Sequence, residues 1–244
     1  MPFYAKPSGG YAIGSTEGTA NLNAAYDYLN SLGFTKESVA GMFGNASAES
    51  GLNPWRWQED AVSLTDPYKG YGFFQFTPAY AYVNLTGIPN HAPNLSVSEQ
   101  TAGASSNDAI AQLYVFANDI LRKWVGDCWR TYWNPASYPE LYQRHTHILN
   151  TYGSGSYLSM ANFKTIDDVD DACFAFLACY EGPSIPNFTE RAAIAAQVKQ
   201  VLDGHEPGPG PGPGPGPGPQ PGPTPVWDIL FMKKFIIDKQ RGLW

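Results

Sequence analysis

The chain has 244 residues, is 43% hydrophobic and carries a formal net charge of −7, with a pI near 5.0. That length supports one good-sized core or two small ones. The acidic balance argues against a general nucleic-acid binder, which needs a basic face. No stretch reaches the ~18 apolar residues of a membrane span. Met1-Pro2-Phe3-Tyr4-Ala5-Lys6-Pro7 lacks the basic start and apolar run of a signal peptide, so synthesis in a cytoplasm without secretory export is expected.

Residues 1–18 are rich in Gly, Ser and Pro and predict a flexible N-terminal arm. A helix is expected over about 20–32, with Leu22, Ala25, Tyr26, Leu29 and Leu32 on one side and Gly33 as its stop. Thr35 caps a second helix over about 36–50. Val39, Met42, Phe43 and Ala46 form its apolar stripe. Glu49 lies three residues past Ala46 and seven past Met42, so the period places it on that same stripe. Gly51 supplies a C′ residue and Pro54 prevents continuation. A buried carboxylate at the negative end of a helix dipole is disfavoured in its ionised form, which is the setting of a general acid.

Residues 51–78 read as irregular with some strand, and 84–106 as loop. Further helices are expected at about 108–125, 139–150, 167–181 and 188–203, the last with Asn187 or Thr189 as cap and Gly204 as stop. Cys128, Cys173 and Cys179 are odd in number, which argues against a full disulfide framework, and Cys173 and Cys179 are expected as buried free thiols. Pro-Gly alternation from Pro207 to Pro225 predicts a linker over 205–225, able to reach on the order of 50 Å if extended. The apolar and basic tail, 226–244, is too short for a domain and is expected to anchor the protein. The organisation is therefore an arm (1–18), a mainly helical domain with some strand (19–204), a linker (205–225) and a tail (226–244).

The loop after Glu49 is rich in Trp and Tyr, whose faces bind the apolar faces of sugars. Glycoside hydrolysis normally uses a second carboxylate. Asp66 and Asp60 are the candidates, in the loop expected to fold back over Glu49, with Asp66 preferred as nearer the Gly70-Tyr71-Gly72 turn. If neither serves, Gln75 is the choice for orienting water. It sits between Phe74 and Phe76, and in a strand it would point opposite to both. The plainer reading of Glu49 is a structural carboxylate capping a loop or bonded to an arginine. His145 and His147, two apart, face apart on a helix. No metal site and no cofactor are expected.

Gly44-Asn45-x-x-x-Glu49-Ser50-x-x-Asn53-Pro54 followed by Gly70-Tyr71-Gly72-x-x-Gln75-x-Thr77 resembles the phage tail lysozyme family, the glycosidase domain of tail-knob peptidoglycan hydrolases in short-tailed phages of Gram-positive bacteria. Phe176-x-x-x-Tyr180-Glu181-x-Pro183, with Arg191 and Ala192, is similar to that family's C-terminal helix pair. The resemblance covers roughly residues 20–203. It implies a lysozyme-like, mainly helical α+β fold with a small irregular β region, and makes 19–204 the catalytic domain. It also implies cleavage of the β-1,4 bond between N-acetylmuramic acid and N-acetylglucosamine. Glu49 matches the catalytic glutamate, and Tyr71 and Gln75 match the motif lining the cleft. Trp57 and Phe76 complete the expected substrate-binding set. Phe76 stands where relatives usually have Trp, and Phe73-Phe74 replaces a smaller aliphatic pair. Glu181 is expected to support packing, and no peptidase domain is expected in the chain. Expected partners are peptidoglycan and other virion proteins through the tail, which also suits a membrane surface; nucleic acid is not expected as a specific ligand. The implied place is the virion, at the tail or its tip. Alternatives are a lytic transglycosylase using the same Glu49, and a non-catalytic structural tail or wall-binding protein.

Overall fold

The computed structural model describes residues 3–6, 8–58, 69–86, 106–126, 135–183 and 185–208, and the structural statements below concern these. The helices are α1 (Thr16–Ser31), α2 (Lys36–Ser50), α3 (Ala79–Thr86), α4 (Ser106–Ala117), α5 (Pro139–Tyr152), α6 (Met160–Phe163), α7 (Val169–Phe176) and α8 (Phe188–Asp203). α7 runs on through a π turn, Leu177–Glu181, that ends at Gly182 in the left-handed conformation. Among the described residues, β structure consists of isolated antiparallel bridges: Trp57 to Tyr71, Tyr71 to Phe76, and Ser154 to Tyr157. The mainly helical expectation holds.

Local chemistry sets the helix ends. Thr35 caps α2 by accepting from the Ser38 amide at 3.0 Å, and Gly51 closes it with φ +56°. Ser15 and Asp168 cap α1 and α7 in the same way. α1 starts at Thr16, earlier than its apolar stripe, because Ser15 supplies that cap. α8 begins after Asn187 as expected, but the Asn187 side chain makes no capping bond. α4 stops at Ala117 instead of continuing to 125. There Asp119 and Arg122 adopt left-handed backbone, and the Asp119 carboxylate accepts from the Trp124 amide, so local polar bonds replace the ladder. α3 and the short α6 were not expected from periodicity; each is too brief to show one.

α2 is the packing centre, lying against both α7 and α8. Val39, Met42, Phe43 and Ala46 are all buried, as their spacing predicts. Two glycines let the helices touch. A Cβ on Gly41 would fall 2.4 Å from the Cys173 nitrogen, and one on Gly44 would fall 2.5 Å from the Ala195 Cβ. α8 runs antiparallel to α2. Arg191 near its start meets Glu49, while Lys199 and Asp203 near its end meet Glu37 and Lys36.

Two expectations need correction. The first concerns the loose arm, whose described part is packed. Phe3 and Ala5 are buried, Asn21 exchanges hydrogen bonds with the Tyr4 backbone, and buried Asn53 binds the Lys6 and Gly9 backbone. Gly and Pro content gave no sign of these asparagine partners. The second concerns the thiols: Cys173 is free and buried, but Cys179 is disulfide-bonded. An odd count excludes complete pairing, not a single bond. The linker beyond residue 208 and the tail 226–244 lie outside the described residues.

Candidate active site

Glu49 sits in the last turn of α2, but not on the buried stripe. Its side chain is 36% exposed, and Ser50, four residues after Ala46, continues the stripe instead. The expected place of Glu49 on the buried stripe is therefore corrected: at the helix end the apolar row steps by four, not three. Its Oε1 accepts from Arg191 Nη2 at 2.5 Å. The Arg191 side chain is only 11% exposed. Its Nη1 donates to Asn45, to the side-chain Oδ1 at 3.3 Å and the backbone oxygen at 3.4 Å. Asn45 is itself fixed, its Nδ2 donating to the Gly41 and Cys173 carbonyls at 3.0 Å each. A buried asparagine thus holds an arginine, and the arginine holds one oxygen of Glu49.

The segment after α2 folds into a tight paired turn. Gly70 and Gly72 pair with the 56–58 backbone: the Gln58 amide donates to the Gly70 oxygen at 2.9 Å and the Gly72 amide to the Arg56 oxygen at 2.8 Å. Tyr71 and Phe76 exchange backbone hydrogen bonds across a tight turn. Gln75 lies in that turn, not in a strand, with φ +44°, a sparsely populated region for a residue with a Cβ. Its Nε2 donates to the Arg56 oxygen at 3.1 Å and the Gly72 oxygen at 2.9 Å. Both amide protons are thus committed, which fixes the direction of Oε1. Gln75 is half-buried.

Trp57, Tyr71 and Phe76, expected to bind sugar, are each no more than 2% exposed. Their rings pack in the core. Phe76 stacks on Tyr82 with ring centres 5.0 Å apart, and Trp57 packs on Tyr71 at 4.8 Å. Phe74 likewise turns inward, stacked on Phe116 at 4.6 Å. Aromatic residues suit a sugar cleft and a core equally well, and composition cannot separate the two.

Two site-supporting residues on α4 escaped the sequence reading. Buried Asp108 accepts from the Tyr71 hydroxyl at 2.6 Å and the Tyr82 hydroxyl at 2.5 Å. Burial and the neighbouring Asp108 push the Tyr71 phenol well above its ordinary value, so it stays a donor. One helical turn on, buried Gln112 accepts from the Phe73 amide at 2.8 Å and donates to the Pro54 oxygen at 2.7 Å. The available signal was a polar pair at i, i+4 beside the apolar stripe of α4. The π turn closes the back of the loop, where the Tyr180 hydroxyl donates to the Phe74 oxygen at 3.2 Å.

A family model described as phage tail lysozyme matches residues 20–202. The chain belongs to the phage tail lysozyme family. It is also similar to "Morphogenesis protein 1" of Bacillus phage B103, with 38% identity over 85 residues. The matched stretch spans 34% of this chain and 21% of that protein. The candidates Asp60 and Asp66 lie outside the described residues. His145 is buried, while His147 is 60% exposed and 3.2 Å from Asp171. Among the described residues no cluster of three or more His, Cys, Asp or Glu has metal-binding geometry, and no helix is long and apolar enough to cross a membrane.

Proposed function

We propose that this phage tail lysozyme is a virion-borne muramidase that opens the host cell wall for genome delivery. Glu49 acts as general acid, protonating the glycosidic oxygen between N-acetylmuramic acid and N-acetylglucosamine as the C1–O bond breaks. Water then attacks C1 and gives up its proton to the second carboxylate or to solvent. The observation that carries the reading is a carboxylate at the solvent-facing end of α2, with one oxygen held by Arg191 and the other without a hydrogen-bond partner among the described residues. Gln75 supports the second half of the reaction. Its anchored amide presents Oε1 as an oriented acceptor for the attacking water or a sugar hydroxyl. Asp66 or Asp60 would serve as the second carboxylate if their loop folds over Glu49.

Peptidoglycan is the proposed substrate, with the tail 226–244 joining other virion proteins. The test is loss of turbidity of purified peptidoglycan: the wild-type chain should clear it and Glu49→Gln should not. Equal clearing by both would remove Glu49 from the mechanism, and clearing by neither would favour a structural tail protein. A lytic transglycosylase is the second reading. That chemistry uses one group as acid and then base, a part that Glu49 alone could take.

A further inference from the structure

Glu49 is exposed, yet its carboxylate is not free to rotate. The contact that holds it comes from α8, a different element, through a side chain almost sealed from solvent. The rows of bonds run from Gly41 and Cys173 to Asn45, from Asn45 to Arg191 Nη1, and from Arg191 Nη2 to Glu49 Oε1. Glu49 Oε2 has no hydrogen-bond partner among the described residues. A carboxyl group on a flexible chain in water samples many rotamers. Fixing one oxygen to a rigid, pre-aligned donor removes that freedom and selects the other as the reactive atom.

We propose that Arg191 is a positioning residue that sets the orientation of Glu49, leaving Oε2 as the oxygen that carries and delivers the proton. The proposal rests on Glu49 being the acid of the reaction above. In the proton-transfer step the Oε2–H bond breaks, the proton passes to the glycosidic oxygen, and the C1–O electron pair leaves with that oxygen. Oε1 keeps its bond from Arg191 throughout. The negative charge that develops on the carboxylate is met by a guanidinium already in place, so little reorganisation accompanies the transfer. Asn45 explains why arginine stands here. Lysine could reach Glu49 as a point charge but could not bond Asn45 through a second nitrogen.

Packing of α8 on α2 comes from the Gly44–Ala195 contact, so Arg191 can be altered without removing the interface. The experiment compares the full wild-type chain with Arg191→Met, Arg191→Lys and Glu49→Gln, measuring kcat and KM on peptidoglycan fragments and the folded fraction by thermal unfolding. Arg191→Met should lose on the order of 100-fold in kcat, with KM unchanged, as expected for a misaligned reacting group. Arg191→Lys should recover part of that loss. If Arg191→Met proves poorly folded, Arg191→Lys carries the test through its own fall in kcat at constant KM. A kcat that is unchanged or raised, or one that falls only in step with the folded fraction, overturns the proposal while Glu49→Gln remains inactive. Full activity in Glu49→Gln, or none in the wild type, would instead defeat the muramidase reading and this inference with it.

Discussion

Asn45 organises its surroundings beyond the arginine it holds. Its Nδ2 also approaches the Cys173 sulfur at 3.4 Å, and burial pushes the Cys173 thiol up to about 12. Native protein at pH 8 should therefore resist thiol alkylation at Cys173 and label it rapidly after denaturation; fast native labelling would show that the α2–α7 seam opens. Gln75 is the other residue whose geometry is informative. A left-handed backbone at a non-glycine position costs of order 1–3 kcal/mol and persists where the surroundings over-determine it. The isosteric Gln75→Glu change replaces both donors with an acceptor facing two carbonyls. Peptidoglycan cleavage rates should then fall about tenfold or more, as expected when a reacting group loses its alignment. A wild-type rate in that variant would deny Gln75 any role in orienting water or substrate.

At the scale of elements, α2 functions because it can approach two neighbours closely. Gly44→Ala would place a methyl carbon against Ala195, and overpacking of this kind costs about 1–3 kcal/mol. A chemical-denaturation midpoint below that of wild type is expected; an unchanged one would mean α8 has room to shift. α4 contributes differently, holding two loops with polar side chains. Gln112→Ala orphans the Phe73 amide and the Pro54 oxygen, at roughly 1–3 kcal/mol for each buried group. Thermal unfolding of that variant should fall well below wild type. Helix faces were legible wherever packing followed a simple period, as in Val39 to Ala46. Glu49 was misplaced because the period does not say whether the final turn steps by three or four. Asp108 and Gln112 stayed hidden because their partners are distant in sequence, and the resemblance marked Arg191 without its pairing to Glu49 for the same reason. The family motif marked Gln75, but its turn conformation depends on hydrogen bonds to Arg56 that no local pattern records.

For the whole molecule, the antiparallel pairing of α2 and α8 puts Glu49 and the exit of the chain at opposite ends. Glu49 lies at one end of α2, and the chain leaves α8 at the other, about 20 Å away at 1.5 Å per residue. There His205 Nε2 lies 2.8 Å from Asp27 Oδ1, and the Gly208 amide donates to the same oxygen at 3.1 Å. The His205 side chain is 15% exposed and that of Asp27 8%. Lys36 adds a bond to the His205 oxygen. This clasp holds residues 205–208, the beginning of the Pro-Gly segment, against α1. His205→Ala should raise backbone mobility at 205–208, read by NMR relaxation, while glycan cleavage stays at the wild-type rate; unchanged mobility would show that the clasp is dispensable.

The central claim is that Glu49 drives hydrolysis of the glycan strand, and the masses of the released fragments test it most directly. Purified peptidoglycan treated with the wild-type chain should yield muropeptides ending in reducing N-acetylmuramic acid, each carrying one added water, and Glu49→Gln should release none. Fragments ending in 1,6-anhydro-N-acetylmuramic acid, or the same products from Glu49→Gln, would contradict the account.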